Sequence, residues 1–294
     1  FQCRERLTKK IPRQIDPMAS HITYKKKKVY YKVRGEGNCI VLLHGFLEHM
    51  GMWNYFAKKL STHYKVVTID LPGFGKSECF AQVHLMEQMA AAVNKVLKSL
   101  DISRCMMVGH SMGGYVGLAF AKKYPGKLKG LCLFHSHALE DTPEAKVNRN
   151  RAIDVVRSDR GTFIYNFFPD LFAPENVKKY EREIKKMHSD AMETSPKAII
   201  AALEGMKYRT DKLDVLSTAR FPILFILGKK DSRIPFESTL EQAALPKNGE
   251  ILVLDNVGHM GFLEARKATL QAIEGFAGKT VGILNIEQGT RNKE

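Results

Sequence analysis

Ser111 stands between Gly109 and Gly113 in VGHSMGGYVG (108–117), where the apolar run Met106-Met107-Val108 stops and a helical pattern, Tyr115 to Ala121, begins. A strand that turns at once into a helix crowds its own backbone, so small residues flank the turn and the residue at its apex stands clear of the strand end. A serine hydroxyl held there is placed to attack, and the N–H of Met112 at the head of the helix points at the same spot as half of an oxyanion hole. The five-residue pattern is weak evidence by itself, because an unaided serine is a poor nucleophile: it needs a base, and the base needs an orienting acid. Two distant residues have that chemistry. Asp231 follows the apolar run of FPILFILGKKD (221–231), and His259 ends GEILVLDNVGH (249–259). Each sits just past a strand's carboxyl end, which brings both to the edge where Ser111 emerges. The second oxyanion donor is expected from the loop after CIVLLHG (39–45), with the N–H of Phe46 as the candidate.

These positions work only if the apolar runs are strands of one sheet. CIVLLHG, YKVVTIDLPG (64–73), RCMMVGHS (104–111), LKGLCLFHS (128–136) and the two runs that end at Asp231 and His259 are rich in Val, Ile and Leu, as parallel strands buried on both faces are. Between the second and third lies a helix whose apolar face is Leu85, Met89, Val93, Val96, Leu97 and Leu100. The alternation implies an α/β fold with a mostly parallel central sheet flanked by helices. It breaks between 138 and 218, where no strand is evident and helices are expected around 143–158, 162–172, 175–192 and 196–206. The insertion leaves the carboxyl edge of the sheet after the strand at about 128–134, the edge where ligands of open α/β sheets bind, so it is a candidate helical cap. The expected organisation is then an extension over 1–17 with Met18 as a candidate start, a core of 18–137 and 219–280, a cap of 138–218, and a polar tail over 281–294.

Composition narrows the class. With 44% apolar and 26% charged residues the chain reads as a globular protein, and no apolar run reaches bilayer-spanning length, so stable membrane association is not expected. The net charge of +15 invites a nucleic-acid reading, but the first 37 residues hold 11 basic and 3 acidic groups, and the excess is led by Lys25 to Lys28 between the alternating segments SHITY and VYYKV. A solvated hairpin turn is the expectation there, and without aromatic–basic interleaving or zinc spacing no nucleic-acid partner is expected. Five cysteines without a CxxC point to free thiols, a reducing compartment and a cytoplasmic location.

Rival chemistries are weaker. GFGKS (73–77) resembles the end of a phosphate-binding loop, but the required earlier glycine falls on Asp70 and Pro72 interrupts it. His135 and His137 form an H-x-H pair without a third ligand at familiar spacing, so they read as pocket-wall polarity rather than a metal site. His44 reads as a loop brace and His110 as structural. Glu140 and Asp141 are rival acids, set back from their strand end. The substrate-binding candidates are Leu47, Trp53, His135, Phe167 and Phe168. For Trp53, and for the aromatic set Phe163, Phe167 and Phe168, lining a pocket and packing the core remain open.

LLHGF (42–46), DLPGFGKS (70–77), GHSMGG (109–114), GKKDSRIP around Asp231 and VGHMGFLE (257–264) together resemble the α/β-hydrolase fold family, over about residues 20–278. DTPEAKVNRNRAI (141–153) and GMKYRTD (205–211) are similar to the cap of carboxylesterase and enol-lactonase-like members. The resemblance implies a serine hydrolase that needs no metal or cofactor, with nucleophile, acid and base on Ser111, Asp231 and His259. The expected substrate is a small or medium ester or lactone. A thioesterase, a C–C bond hydrolase or lyase with the same triad, and a non-catalytic ligand-binding module of the same fold are the alternatives, since a fold does not fix a reaction.

Overall fold

The structure, a computed structural model, describes residues 17–282. The expected extension (1–17) and polar tail (281–294) lie outside it, save for Pro17, Val281 and Gly282. Strands β1 (Ser20–Tyr24) and β2 (Lys27–Arg34) form an antiparallel hairpin. Its turn places Lys25 and Lys26 at φ 48° and 63°, the left-handed geometry that a two-residue hairpin turn demands. Only two of the four lysines are therefore in the turn. Lys27 and Lys28 open β2, where Lys27 pairs with Glu78 at 3.2 Å.

β3 (Cys39–Leu43), α1 (Asn54–Leu60), β4 (Lys65–Ile69), α2 (Met86–Ser99), β5 (Cys105–His110), α3 (Met112–Lys123) and β6 (Leu128–Phe134) then alternate. Four helices follow: α4 (Pro143–Phe167), α5 (Glu181–Met192), α6 (Pro196–Lys207) and α7 (Leu213–Thr218). The chain closes with β7 (Ile223–Gly228), α8 (Phe236–Ala243), β8 (Gly249–Leu254), α9 (Gly261–Glu264) and α10 (Arg266–Thr280). The sheet runs β1-β2-β4-β3-β5-β6-β7-β8, and β3 to β8 are mutually parallel, as expected. Every residue of β3, β5 and β7 is buried. β8 departs from the double-sided burial expected of it: Ile251 and Val253 are 45% and 37% exposed, because an edge strand has a neighbour on one side only.

The 138–218 segment is helical, with boundaries that physical chemistry sets. Thr142 and Ser195 cap α4 and α6, their hydroxyls accepting from the amides of Ala145 (3.1 Å) and Ala198 (3.3 Å), and a proline follows each cap. The helices expected at 143–158 and 162–172 are two arms of α4, bent where Asp159 leaves helical geometry (φ −151°, ψ 86°). Its carboxylate accepts from the amide and hydroxyl of Thr162 (3.0 and 2.6 Å), which restarts the helix. Pro169 ends the second arm earlier than expected by opening a 3-10 turn at Pro169–Leu171. The expected 175–192 helix begins only at Glu181, and α7 was not anticipated. No helix among the described residues is long and apolar enough to cross a membrane.

Parallel pairing decides where chemistry can sit. The registers align Leu43 with Gly109, His110 with Phe134, Phe134 with Ile226 and Gly228 with Leu254. The residues just past these strands therefore emerge along one edge. α6 is fastened close by, for the amide of His84 donates to the carbonyl of Ala201 (2.9 Å), and a Cβ on Gly205 would lie 1.9 Å from the His84 carbonyl oxygen. Gly205→Ala is accordingly expected to cost about 1–3 kcal/mol or more through overpacking against backbone. Gly275→Ala, in open space on α10, should instead gain about 0.5–1 kcal/mol from helix propensity. Urea unfolding of the two variants checks the opposite signs.

Candidate active site

Ser111 occupies the β5–α3 turn at φ 50° and ψ −117°. The left-handed strain falls on the serine itself, at a cost of about 1–3 kcal/mol that the surrounding bonds must hold down. Its amide donates to the Phe134 carbonyl (3.0 Å), and its carbonyl accepts from the Gly114 amide (2.8 Å) and the Ser136 hydroxyl (2.9 Å). The flanking glycines serve proximity: a Cβ on Gly113 would lie 2.6 Å from the Leu43 carbonyl oxygen, where α3 crosses the end of β3. Met112 is the first helical residue, so its N–H has no partner within α3.

Asp231 lies three residues beyond β7 with its side chain 1% exposed. Its Oδ1 accepts from the amides of Arg233 (2.8 Å) and Ile234 (3.0 Å), and its Oδ2 from His135 Nδ1 (3.0 Å). His259 Nδ1 lies 3.0 and 2.9 Å from the two oxygens. Burial alone would raise this carboxyl, but the His259 charge and the hydrogen bonds from His135 and His259 hold it well below the ordinary carboxylate range. With Nδ1 spent on Asp231, the Nε2 of His259 is the ring nitrogen left to act, and His259 and Ser111 line the same cavity. The loop carrying His259 is tied down independently: its amide donates to the Leu171 carbonyl (2.6 Å), and Glu264 accepts from the amides of Gly258 (3.0 Å), Met260 (3.3 Å) and Ala173 (3.0 Å).

Behind these groups lies a buried ion pair that the sequence did not disclose. His110 Nδ1 is 3.0 Å from Glu48 Oε2, and its Nε2 is 3.0 Å from the His259 carbonyl. The same Glu48 oxygen accepts from the Gly45 amide (2.6 Å). One pair thus joins the loop after β3 to the loop that bears His259. Burial lowers the His110 imidazolium, but the Glu48 charge and hydrogen bond raise its pKa overall, helped by the His259 carbonyl. Burial raises the Glu48 carboxyl, but His110 and the Gly45 amide bring it below its ordinary value. His110, expected to be structural, is therefore a charged tie between two loops of the site. His44 acts as the expected brace, with Nε2 accepting from the Leu71 amide (2.9 Å).

The cavity over Ser111 measures about 550 Å³. Phe46 and Phe167, two of the expected residues, line it together with Phe163. They also pack on each other, Phe46 edge-on to Phe167 at 5.5 Å and to Phe163 at 6.4 Å, so the open choice between wall and packing resolves into both roles at once. Four of the expected substrate-binding residues do not line it. Trp53 is buried among Phe56, Phe134 and Phe262, and Phe168 is 1% exposed beneath Phe167. Leu47, at φ 59°, turns away to a neighbouring depression with His49 and Met52. His135, at φ 47°, turns its ring under Asp231. Burial pushes His135 down to about 4 against the pull of Asp231, so it is a neutral donor to that carboxylate. The rival acids are occupied elsewhere, Asp141 with Arg149 and Arg209, and Glu140 with Lys146. Sequence reasoning also missed the polar lining: Tyr115, Asn148, Arg149, Asn166, Ser232 and Arg233. The available signal was the spacing 145, 148, 149, 152 on α4, a helical face mixing alanines with Asn and Arg.

Ligand atoms of His135, Asp231 and His259 fall within 4.8 Å of one another, close enough to consider a metal. The hydrogen bonds account for the grouping, since each imidazole turns Nδ1 to the one carboxylate. A cation there would have to displace the protons that hold both rings.

A mostly parallel sheet with a strained serine at the β5–α3 turn, and an aspartate and histidine past later strands, defines the α/β-hydrolase class. The chain belongs to this family: the model of the alpha/beta hydrolase fold matches residues 38–266. It is similar in structure to a thermophilic esterase from Thermogutta terrifontis in its malate-bound form, with 30% identity, a TM-score of 0.84, and coverage of 90% of this chain and 99% of that one. It is 27% identical over 259 residues to a pimeloyl-[acyl-carrier protein] methyl ester esterase of Pseudoalteromonas atlantica, covering 83% of this chain and 93% of that protein. It is 28% identical over 252 residues to the dihydrolipoyllysine-residue acetyltransferase component of the acetoin cleaving system of Pseudomonas putida, where the match takes in 85% of this chain and 66% of the longer relative.

The buried pair makes a pH-dependent prediction. His110, with its folded pKa raised, stabilises fully below its unfolded pKa and loses that contribution as pH rises through the folded value. Glu48, with its folded pKa lowered, stabilises fully above its unfolded pKa and loses it as pH falls through the folded value. Glu48→Gln strands the imidazolium and should cost on the order of 3–5 kcal/mol. The deficit against the wild type should be largest between the ordinary values of 4.5 and 6.5 and shrink on either side, which urea unfolding across pH would reveal.

Proposed function

We propose that the protein is a serine hydrolase that cleaves a small or medium carboxylic ester or lactone through an acyl-enzyme on Ser111. The observation that carries this reading is the Asp231–His259 contact, 2.9 Å from carboxylate to Nδ1, with His259 and Ser111 lining one cavity. In the proposed reaction His259 Nε2 takes the Ser111 proton as Oγ attacks the carbonyl carbon. The N–H groups of Phe46 and Met112 receive the oxyanion. His259 then protonates the leaving alcohol, and a water activated by the same nitrogen releases the acid. Asp231, ionised throughout because its donors hold it so, fixes the imidazole tautomer and stabilises its charged form.

Other nucleophiles fit less well. Burial pushes the thiols of Cys39 (to about 12), Cys105 and Cys132 up, which leaves them protonated and inert. The described cysteines are free, in keeping with the proposed reducing, cytoplasmic setting. The 138–218 segment serves as the cap in this reading, since α4 supplies one wall of the cavity. Two relatives carry esterase names, which favours an ester over a carbon–carbon bond.

Ser111→Ala is expected to lower turnover of a short p-nitrophenyl ester by roughly 10⁴ to 10⁶ while the unfolding transition is retained. A fluorophosphonate probe should label the wild type at Ser111 and leave the variant unlabelled. Undiminished turnover in the variant would end the serine-nucleophile reading, and a wild type that the probe ignores would favour a binding module.

A further inference from the structure

The cavity is unevenly charged. Arg149 stands on its α4 side and Arg233 on the loop after β7, while the one acidic residue of the lining, Glu48, is committed to His110 and the Gly45 amide. Neither arginine has a buried carboxylate to itself. Asp141, 4% exposed, is shared between Arg149 and Arg209, so two guanidiniums face one buried carboxylate. Arg209 is the better buried of the two and also donates to the carbonyls of Leu139 (3.1 Å) and Met206 (3.0 Å), which leaves Arg149 as the member that reaches the cavity. Arg233 is freer still. Its paired carboxylate is Asp170, 3.9 Å away and 73% exposed, and among the described residues its guanidinium makes no hydrogen bond. It rests on the ring of Phe167, 5.3 Å from the centroid, which holds a planar fork of five donors at the cavity wall. Partial burial lowers its pKa, Asp170 and Asp231 oppose that, and the charge of Arg149 adds to it.

Resting on the serine-hydrolase reading above, we propose that Arg233 and Arg149 form a subsite for a carboxylate carried by the substrate, so that the preferred ester or lactone is an anionic one, such as a dicarboxylic half-ester. A carboxylate at this wall would accept the unspent N–H groups of Arg233 and those of Arg149 that Asp141 leaves over. The neighbouring side-chain amides of Asn148 and Asn166 extend the polar wall on which such a group would lie. The rings of Phe46, Phe163 and Phe167, the last of them under Arg233, suit the apolar stem of the same molecule.

The test compares two esters that differ by one charge. Hydrolysis of monomethyl glutarate and dimethyl glutarate is followed by acid release in the wild type, Arg233→Gln and Arg233→Lys. The ratio of kcat/KM for half-ester over diester should fall roughly tenfold or more in Arg233→Gln, carried mainly by KM, and recover in part in Arg233→Lys. An unchanged ratio would overturn the proposal. Calorimetric titration with glutarate and with inorganic phosphate reads the subsite apart from catalysis. Glutarate should bind the wild type and bind Arg233→Gln at least about tenfold more weakly. If only phosphate depends on Arg233, or neither anion does, the carboxylate subsite is refuted. If neither ester is hydrolysed but glutarate binding depends on Arg233, the hydrolase reading fails and the subsite stands. Turnover of both esters with no dependence on Arg233 gives the reverse.

Discussion

Asp231 sets the terms for the rest of the site. A carboxylate with 1% of its side chain exposed stays ionised only if donors replace the water it has lost. Four groups do so here, the imidazoles of His135 and His259 and the amides of Arg233 and Ile234, and each also fixes something else. The His259 contact selects a tautomer. The two amides curl the loop after β7 around the carboxylate, which positions the Arg233 side chain. The His135 contact locks β6 to β7 at the edge and accounts for a histidine held at positive φ. That ring fits because Gly261 lacks a side chain: a Cβ there would lie 2.3 Å from His135 Nε2.

A second buried charge is handled by a different arrangement. Glu48 and His110 neutralise one another, and the bonds left over go to backbone, the Gly45 amide on one side and the His259 carbonyl on the other. The Asp231 cluster orients side chains, whereas this pair holds loops. Both adjoin a cavity lined by the rings of Phe46, Phe163 and Phe167 and by the cations of Arg149 and Arg233.

What could be read from the sequence follows the reach of local rules. Ser111, Asp231 and His259 were legible as candidates because each sits just past an apolar run, and parallel strands put such residues on one edge. The mostly parallel sheet and the interruption of the helical pattern between 158 and 162 were legible for similar reasons, being set by hydrophobic runs and helix periodicity. The side-chain partners were not. Whether Glu48 meets His110 depends on an approach across 62 positions, and His135 was assigned to the pocket because nothing local indicates that its φ of 47° swings the ring under Asp231. Nothing local in the sequence marks Arg149 and Arg233, and the surplus of guanidinium over carboxylate is visible only once Asp141 is seen shared by two arginines. β8 was misjudged in burial because composition does not say which strand lies at an edge.

Glu264 accepts both from the amides of Gly258 and Met260, which flank His259, and from the Ala173 amide and the Asn176 side chain in the segment above (2.8 Å). The His259 amide itself is spent on the Leu171 carbonyl of that segment. Raising residues 171–176 from the core would therefore break bonds that hold the histidine in place. The backbone that bounds this corner of the cavity and the loop that aligns the imidazole are thus held by the same bonds, and neither can be displaced without disturbing the other. Elsewhere the second arm of α4 meets the core through ring contacts of Phe163 and Phe167 with Phe46.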